Sequence, residues 1–415
     1  MRRKLIRVAL FALTLGAAAV RADDGDPPGF VLSGFGTVGA VHSSQRQADF
    51  TSNSFKPTGA GFSRNWSPDV DSLLAVQGTA NLTPQLSVVL QLISEQNYDN
   101  TYRPHVEWAN VKYQFTPDFN VRVGRIGLPI FMVNDSRKIG YANPWVRPPL
   151  EVYDLVPLTS SDGIDASYRL PIGAATNTFQ VTAGRSDTKS PQSGGGGASV
   201  KARDMVTLVD TIEQGFVTVR LSYGRGRLTI DVFDPLMDGF RQFGPQGAAI
   251  VDKFNVNGRL ATFLGVGASY DPGTWFVTGE WGRLTTDSII GDNSAWYLSG
   301  GYRFGKFTPY LTYARTKVDS KSSDPGLDVS GLPPAVAGAA LGLNAALNSA
   351  LGRRTDQDTI SLGARWDVMR NVALKLQYDH IRLGADSTGL LGNIQPGFQP
   401  GSNLHVISAS VDFVF

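Results

Sequence analysis

Residues 361–379 read Ser-Leu-Gly-Ala-Arg-Trp-Asp-Val-Met-Arg-Asn-Val-Ala-Leu-Lys-Leu-Gln-Tyr-Asp. Leu362, Ala364, Trp366 and Val368 alternate with Ser361, Arg365 and Asp367. After Arg370-Asn371, a turn pair, Val372, Leu374, Leu376 and Tyr378 alternate with Lys375, Gln377 and Asp379. A period of two places one apolar and one wet face on each strand, and the tight joint makes the pair a hairpin. The same pattern recurs upstream. Leu74, Val76, Ala80 and Leu82 alternate with Gln77, Thr79 and Asn81, and Leu86, Val88, Leu90 and Leu92 alternate with Ser87 and Gln91, then Glu95.

A soluble sandwich shares this alternation, so the joints decide. Thr83-Pro84-Gln85, Thr116-Pro117-Asp118, Pro272-Gly273-Thr274, Gly305-Lys306 and Arg370-Asn371 are tight turns. Long polar stretches lie near 43–70, 129–161, 187–203, 232–256, 287–293, 318–355 and 385–402. Short turns at one end and long loops at the other are the asymmetry of an outer-membrane β-barrel. Sixteen strands are predicted, over 29–42, 71–82, 85–98, 104–115, 119–128, 162–170, 177–186, 203–212, 215–230, 257–270, 274–286, 294–304, 307–317, 355–368, 371–384 and 403–415. The two around 203–230 are joined by Glu213-Gln214-Gly215, a weak turn that leaves their register open. Trp108, Tyr113, Phe115, Trp275, Trp281, Trp296, Tyr302, Phe304, Tyr310, Tyr313 and Trp366 cluster at strand ends, many in the apolar phase, as interfacial girdles do.

The 415 residues carry 18% charged side chains, 46 Gly and no Cys. That composition fits a soluble multidomain enzyme poorly, and it removes disulfides, thiolate metal sites and a cysteine nucleophile at once. Residues 1–22 hold five of the 38 basic side chains and none of the 36 acids, leaving 33 against 36, a net charge of −3. A nucleic-acid partner is excluded for want of a basic face. The segment itself has a cationic start (Met1 to Arg7), a charge-free apolar run (Val8 to Val20) and small residues around Arg21, which read as a secretory signal cleaved before Asp23. Thirteen apolar residues are too few to span a bilayer, which takes roughly 20. Residues 23–415 are then the barrel.

The last strand sharpens the reading. Val411, Phe413 and Phe415 alternate with Ser410, Asp412 and Val414. A strand ending in phenylalanine resembles the assembly signal of Gram-negative outer-membrane proteins. With Phe35-Gly36-Thr37-Val38-Gly39 in the opening strand and Val123-Gly124-Arg125 before a long third loop, the chain resembles the general porin superfamily. The resemblance covers nearly all of residues 23–415. It implies a trimer of sixteen-stranded barrels in the outer membrane, in contact with lipid and lipopolysaccharide, whose third loop folds inward. No cofactor or metal is implied. The chain departs from the family at the tip of that loop: Asn143-Pro144-Trp145 and Arg147-Pro148-Pro149-Leu150-Glu151 stand where a Pro-Glu-Phe-Gly-Gly-like run is common.

If the third loop folds inward, Asp135, Arg137, Lys138, Arg147, Glu151 and Asp154 face the solute at a constriction. Tyr141, Trp145, Tyr153 and the prolines among them stiffen it. The wall is read from phase. Lys112, Arg122, Arg169, Arg220, Arg259, Arg303, Arg365 and Lys375 fall inward, with Glu95, Asp165, Glu280, Asp367, Asp379 and Asp412, the last near the turn-side rim beside Asp367. A charge on the lipid side would cost roughly 2–4 kcal/mol at mid-bilayer. Eight bases against six acids predict a slight preference for anions among small hydrophilic solutes. A substrate-specific channel is the nearest rival, and a surface adhesin or assembly barrel a more distant one.

Other features are weaker. Gly34 to Gly39 spells G-x-G-x-x-G, and Gly300 to Lys306 spells a P-loop lacking its Ser/Thr at Phe307, but each lies within a strand pattern. His42, His105, His380 and His405 are widely spaced in sequence, and no Gly-x-Ser-x-Gly elbow occurs. No reaction is therefore expected. Val329 to Gly352 is free of charge, and its stripe of Val336, Ala340, Leu343, Leu347 and Leu351 predicts an amphipathic helix over the mouth or against the wall. Gly194 to Gly197 reads as a mobile loop tip.

Overall fold

The computed structural model describes residues 29–192 and 196–415, so the signal segment and Gly194–Gly195 lie outside the described residues. Sixteen antiparallel strands pair in chain order: β1 Phe30–Ser43, β2 Leu73–Asn81, β3 Leu86–Glu95, β4 His105–Thr116, β5 Phe119–Gly127, β6 Ser160–Ile172, β7 Ala175–Pro191 and β8 Gly197–Gln214. The second half is β9 Val217–Ile230, β10 Arg259–Tyr270, β11 Trp275–Thr286, β12 Asn293–Tyr302, β13 Phe307–Val318, β14 Gln357–Met369, β15 Val372–Leu383 and β16 Asn403–Val414. β1 closes the ring. Phe30 to Thr37 pair with β2, and Phe35 to Ser43 pair with β16. Closure leaves no free edge, which a membrane-spanning sheet requires because lipid offers no hydrogen bonds.

The seam explains two sequence motifs together. Gly34 lies beneath the Phe415 ring and Gly36 beneath that of Phe413, so a side chain at either glycine would collide with an aromatic ring. Aromatic rings covering strand glycines restore the side-chain contact that glycine lacks. The Phe-Gly-Thr-Val-Gly run and the terminal aromatics are thus two sides of one joint.

Outside, Leu362 and Leu311 are more than half exposed on adjoining strands, and Leu298 likewise on β12. Below them runs a turn-end girdle including Tyr113 and Phe115 (ring centroids 4.7 Å apart), Tyr270 and Trp275 (5.1 Å), and Tyr302 and Phe304 (4.5 Å). Tyr310 is not part of it. It points inward, almost fully buried, and donates to Gln377 Oε1 at 2.7 Å.

At the loop end, two polar stretches contain regular elements among the described residues. Residues 187–203 are mostly strand, because β7 and β8 run on as a long hairpin; the charges that suggested a loop, such as Arg203 paired with Asp187 at 2.6 Å, sit on it. A single helical turn, α1 Leu150–Tyr153, lies between β5 and β6, and the segment 232–256 holds two longer helices, α2 Asp234–Arg241 and α3 Gly244–Phe254, each with proline in its first turn. With the helix Pro334–Leu351 they form an apolar cluster that also takes in Leu228, Ile230 and Ile290 at the top of the wall. The predicted stripe is that helix's packed side from Ala340 onward, with Ala340 and Leu347 fully buried, while Val336 in the first turn is exposed. Its polar residues pin it: Asn344 bonds the backbone of Leu327 at 2.8 and 2.9 Å, and Asn348 that of Asp324 at 2.8 and 2.9 Å.

Placing an arginine in the mid-band should separate the two faces. Leu362→Arg is expected to lower stability in phospholipid vesicles by about 2–4 kcal/mol in urea titration, whereas Leu362→Phe should change it little.

Candidate functional site

Between β5 and β6 the chain enters the barrel. Room for it is made by inward glycines. A Cβ at Gly267 would lie 2.4 Å from Met132, and one at Gly282 3.1 Å from Leu155. Gly140 meets the opposite wall, where a Cβ would fall 2.2 Å from Asp412 and 2.7 Å from Thr37. Inward glycines on β10 and β11 were the sequence signal for this loop's path.

Every tether of the loop answers a backbone or side-chain group that entry strips of water. Lys138 Nζ reaches Glu95 at 2.8 Å on β3 and Glu107 at 2.9 Å on β4. Burial opposes its charge, but Glu107 and Glu95 outweigh burial and hold its pKa above the ordinary value. Arg147 pairs with both oxygens of Asp71 (2.8 and 2.7 Å) and donates to Ser408 at 2.7 Å. Trp145 Nε1 donates to Ser299 at 2.8 Å, and Gln357 Nε2 donates to Glu151 at 2.7 Å, with Thr359 beside it. Burial pushes the Glu151 carboxyl up against those two bonds. Arg137 turns back on its own loop, donating to Tyr153 O at 2.6 Å and stacking over the Tyr153 ring. Asp135 alone of the six candidates is exposed. Asp154 is half-buried and accepts from Ser54 N at 3.0 Å and Oγ at 3.1 Å, both on Oδ1.

The wall residues sort into three groups. Glu280, Lys375, Arg365 and Arg220 lie beneath the loop and hold it. Glu280 accepts from Met132 N at 2.7 Å and from Tyr153 and Tyr297. Lys375, with no exposed side-chain surface, pairs with Asp412 at 2.9 Å and donates to Gly140 O (2.6 Å) and Trp145 O (2.7 Å). Arg365 donates to Tyr141 O and to Asn143 O at 3.1 Å, and Arg220 donates to Phe131 O. Asp412, expected near the turn-side rim, is fully buried against the loop and Thr37, which donates to it at 2.6 Å. Arg259 and Arg303 are structural at the two rims: the first donates to Asn255 O behind α3, the second pairs with Asp271 at 2.6 and 2.7 Å. Arg122, paired with Asp165 at 2.8 Å, stays in the lumen with Lys112 and Arg169, and neither of these two has an ion pair among the described residues.

One side of the lumen stays polar. A cavity of about 300 Å³ lies between the first and third loops and β3 to β7, bounded by Lys56, Glu95, His105, Glu107 and Lys138. The other side is dry, with Phe131, Trp145 and Tyr153 packed on Phe263, Phe276 and Tyr297. The loop therefore crosses the barrel off-centre and leaves its passage beside an array of fixed, alternating charge. No reaction chemistry is needed for such an array to select a solute.

The comparisons agree with this geometry. Residues 9–388 match the family model described as Gram-negative porin. The chain belongs to the Gram-negative porin family. The porin resembles, in fold, the anion-selective porin from Comamonas acidovorans (14% identity, TM-score 0.53, covering 94% of this chain and all of that one). OmpT of Vibrio cholerae, an outer-membrane protein, is similar at 9% identity and TM-score 0.52, over 94% and 98% of the two chains. Salmonella typhi OmpF is similar at 12% and 0.52, over 92% and 97%. No curated protein matches the chain in sequence. As a member of this family the porin belongs in the outer membrane and forms a channel.

The histidines group in a way their spacing hid. His42, His380 and His405 share the outer face at the loop end, His380 and His405 with Nδ1 atoms 3.3 Å apart. Among the described residues, no three His, Asp or Glu side chains converge as metal ligands.

Two outcomes follow. Lys375→Met leaves the buried Asp412 without its cation and Trp145 O without a donor, and should cost about 3–5 kcal/mol in unfolding measurements, with larger and noisier single-channel currents as the loop loosens. Burial pushes the Asp154 carboxyl up to about 6, against the Ser54 bonds and the charge of Arg137. The folded state thus keeps that proton longer than an unfolded chain, and the site gains its negative charge as pH rises through that value. Raising the pH from about 5 to about 7 should move the reversal potential toward cations, and the difference should vanish in Asp154→Asn.

Proposed function

We propose that the porin lets small hydrophilic solutes diffuse passively across the outer membrane, with a weak preference for anions. The observation that carries this reading is the third loop, tethered on both sides of the lumen so that it narrows the barrel without a hinge to open it. Lys112 and Arg169, free of ion pairs among the described residues and turned inward near the turn end, supply the excess of positive potential, and the anion-selective relative from Comamonas acidovorans supports the same sign. The turn end then faces the periplasm, and residues 1–22 are a signal cleaved before Asp23.

A homotrimer completes the proposal. Small outward positions such as Gly78 and Ala80 on β2 allow close approach of a second copy, although the Phe30 ring partly covers Gly78. Arg225, Arg227, Arg315 and Lys317 stand outward at the loop end, at the level where lipopolysaccharide phosphates would meet them.

Planar-bilayer recording of the refolded 23–415 chain tests the reading. Ohmic steps closing in threes, with an anion-directed reversal potential across a KCl gradient, are expected. Currents that saturate and are blocked by one solute would favour a substrate-specific channel, and silence would overturn the porin reading.

A further inference from the structure

Alternation fails on one part of the wall. On the loop-end halves of β8 to β11 the inward residues are apolar, Met205, Leu228, Phe263 and Leu284 among them, while the outward Arg225 and Arg227 are exposed. The third loop turns Leu155 and Leu158 toward them. Above, Leu228, Ile230 and Ile290 pass into the helical cluster at the loop end. The wall and the first and third loops line an open cavity of about 340 Å³. A route for hydrophilic solutes has no use for it.

Its polar groups are few. Ser54, Ser190 and Thr207 are neutral, and Arg225 and Arg227 contribute from strand positions whose side chains point outward. The remaining ionisable side chain on the lining is Asp154, at the rim. Its two hydrogen bonds both fall on Oδ1, so Oδ2 is left as an acceptor. A neutral apolar guest would leave that carboxylate oxygen unanswered, and an anionic one would be repelled.

We propose that this cavity binds cationic amphiphiles, holding an aromatic body against Met205, Phe263 and Leu284 and an ammonium group at Asp154. The ligand class goes beyond the diffusion of hydrophilic solutes, and rests on the porin reading only for the route by which the ligand arrives. Burying roughly 55 Å² of apolar ligand surface is worth about a tenfold gain in affinity. A single ring system therefore distinguishes an amphiphile strongly from a bare ammonium ion. Occupancy would place a cation at the loop's edge and obstruct the mouth.

The probe is 1-naphthylmethylammonium, compared with methylammonium (charge without ring) and 2-naphthoate (ring with opposite charge). Calorimetric titration of the barrel held in amphipol should show saturable binding of the first alone. Single-channel recordings should show brief closures with it and none with methylammonium. Asp154→Asn and, separately, Leu284→Gln should each weaken binding about tenfold, the size expected for losing a charge-assisted contact or polarising the pocket. Folding of both variants is checked by resistance to SDS without heating. Equal binding of naphthoate, or affinity unmoved by both substitutions, would overturn the proposal. Should the channel be silent, calorimetry still decides: binding without conduction would remove the porin reading and leave this site standing.

Discussion

The carbonyl oxygens of Gly140 and Trp145 enter the barrel with no strand to pair with, and one ammonium group answers both. Lys375 does so while paired with Asp412, itself held by Thr37. A buried ion pair is weak evidence for stability, because desolvating two charges offsets most of their attraction. Here the desolvation has a further return. The ammonium has three protons, and two are spent on loop backbone: Trp145 O, which would otherwise be stranded, and Gly140 O, which Asn143 N also serves at 3.0 Å. The loop's position thus depends on a charge that the wall can supply only because its inward phase is polar, and the inward phase is polar because lipid claims the other one.

The same logic accounts for the lopsided lumen. A loop with charges on one edge and aromatics on the other cannot sit centrally in a polar tube. Lys138 draws the first edge to Glu95 and Glu107, while Phe131, Trp145 and Tyr153 bury themselves against Phe263, Phe276 and Tyr297 on the far side. Water is retained where charges face each other and excluded where rings do. Polar passage and apolar vestibule are consequences of one asymmetric segment.

This also marks how far the sequence could be read. Every one of the sixteen strands was legible, since lipid enforces apolar character on alternate residues along the spanning length, as Leu362, Trp366 and Leu376 show. Where the strands rise clear of that constraint the rule lapses. β7 and β8 carry Lys189, Lys201 and Arg203 beyond it, and looked like loop. Helices α2 and α3 were missed because their glycines interrupt the periodicity, although Pro235 and Pro245 marked their first turns. Phase assigns a charged residue to the wet side of its strand, but it does not tell whether water or protein meets that residue there. Trp145 finds Ser299 and Arg147 finds Ser408, contacts between residues far apart in the chain that no local pattern announces.

Selectivity in such a channel cannot be counted from its charges, because most of them are already answered. Arg147 has Asp71, Arg365 has Asp367, Arg303 has Asp271 and Arg122 has Asp165. Each pair contributes a local dipole and little net potential at a distance, since opposite charges a few ångströms apart cancel beyond a Debye length of roughly 8 Å. What a passing ion feels at long range is set by the few groups without an ion pair among the described residues: Lys112 and Arg169 toward the turns, Asp135 and, once ionised, Asp154 on the loop. Near the constriction the paired charges matter again, but as a transverse field that orients polar solutes rather than as a filter for sign. The preference for anions that we propose would therefore be weak by construction, since it rests on residues toward the turn end and not on the paired charges of the constriction.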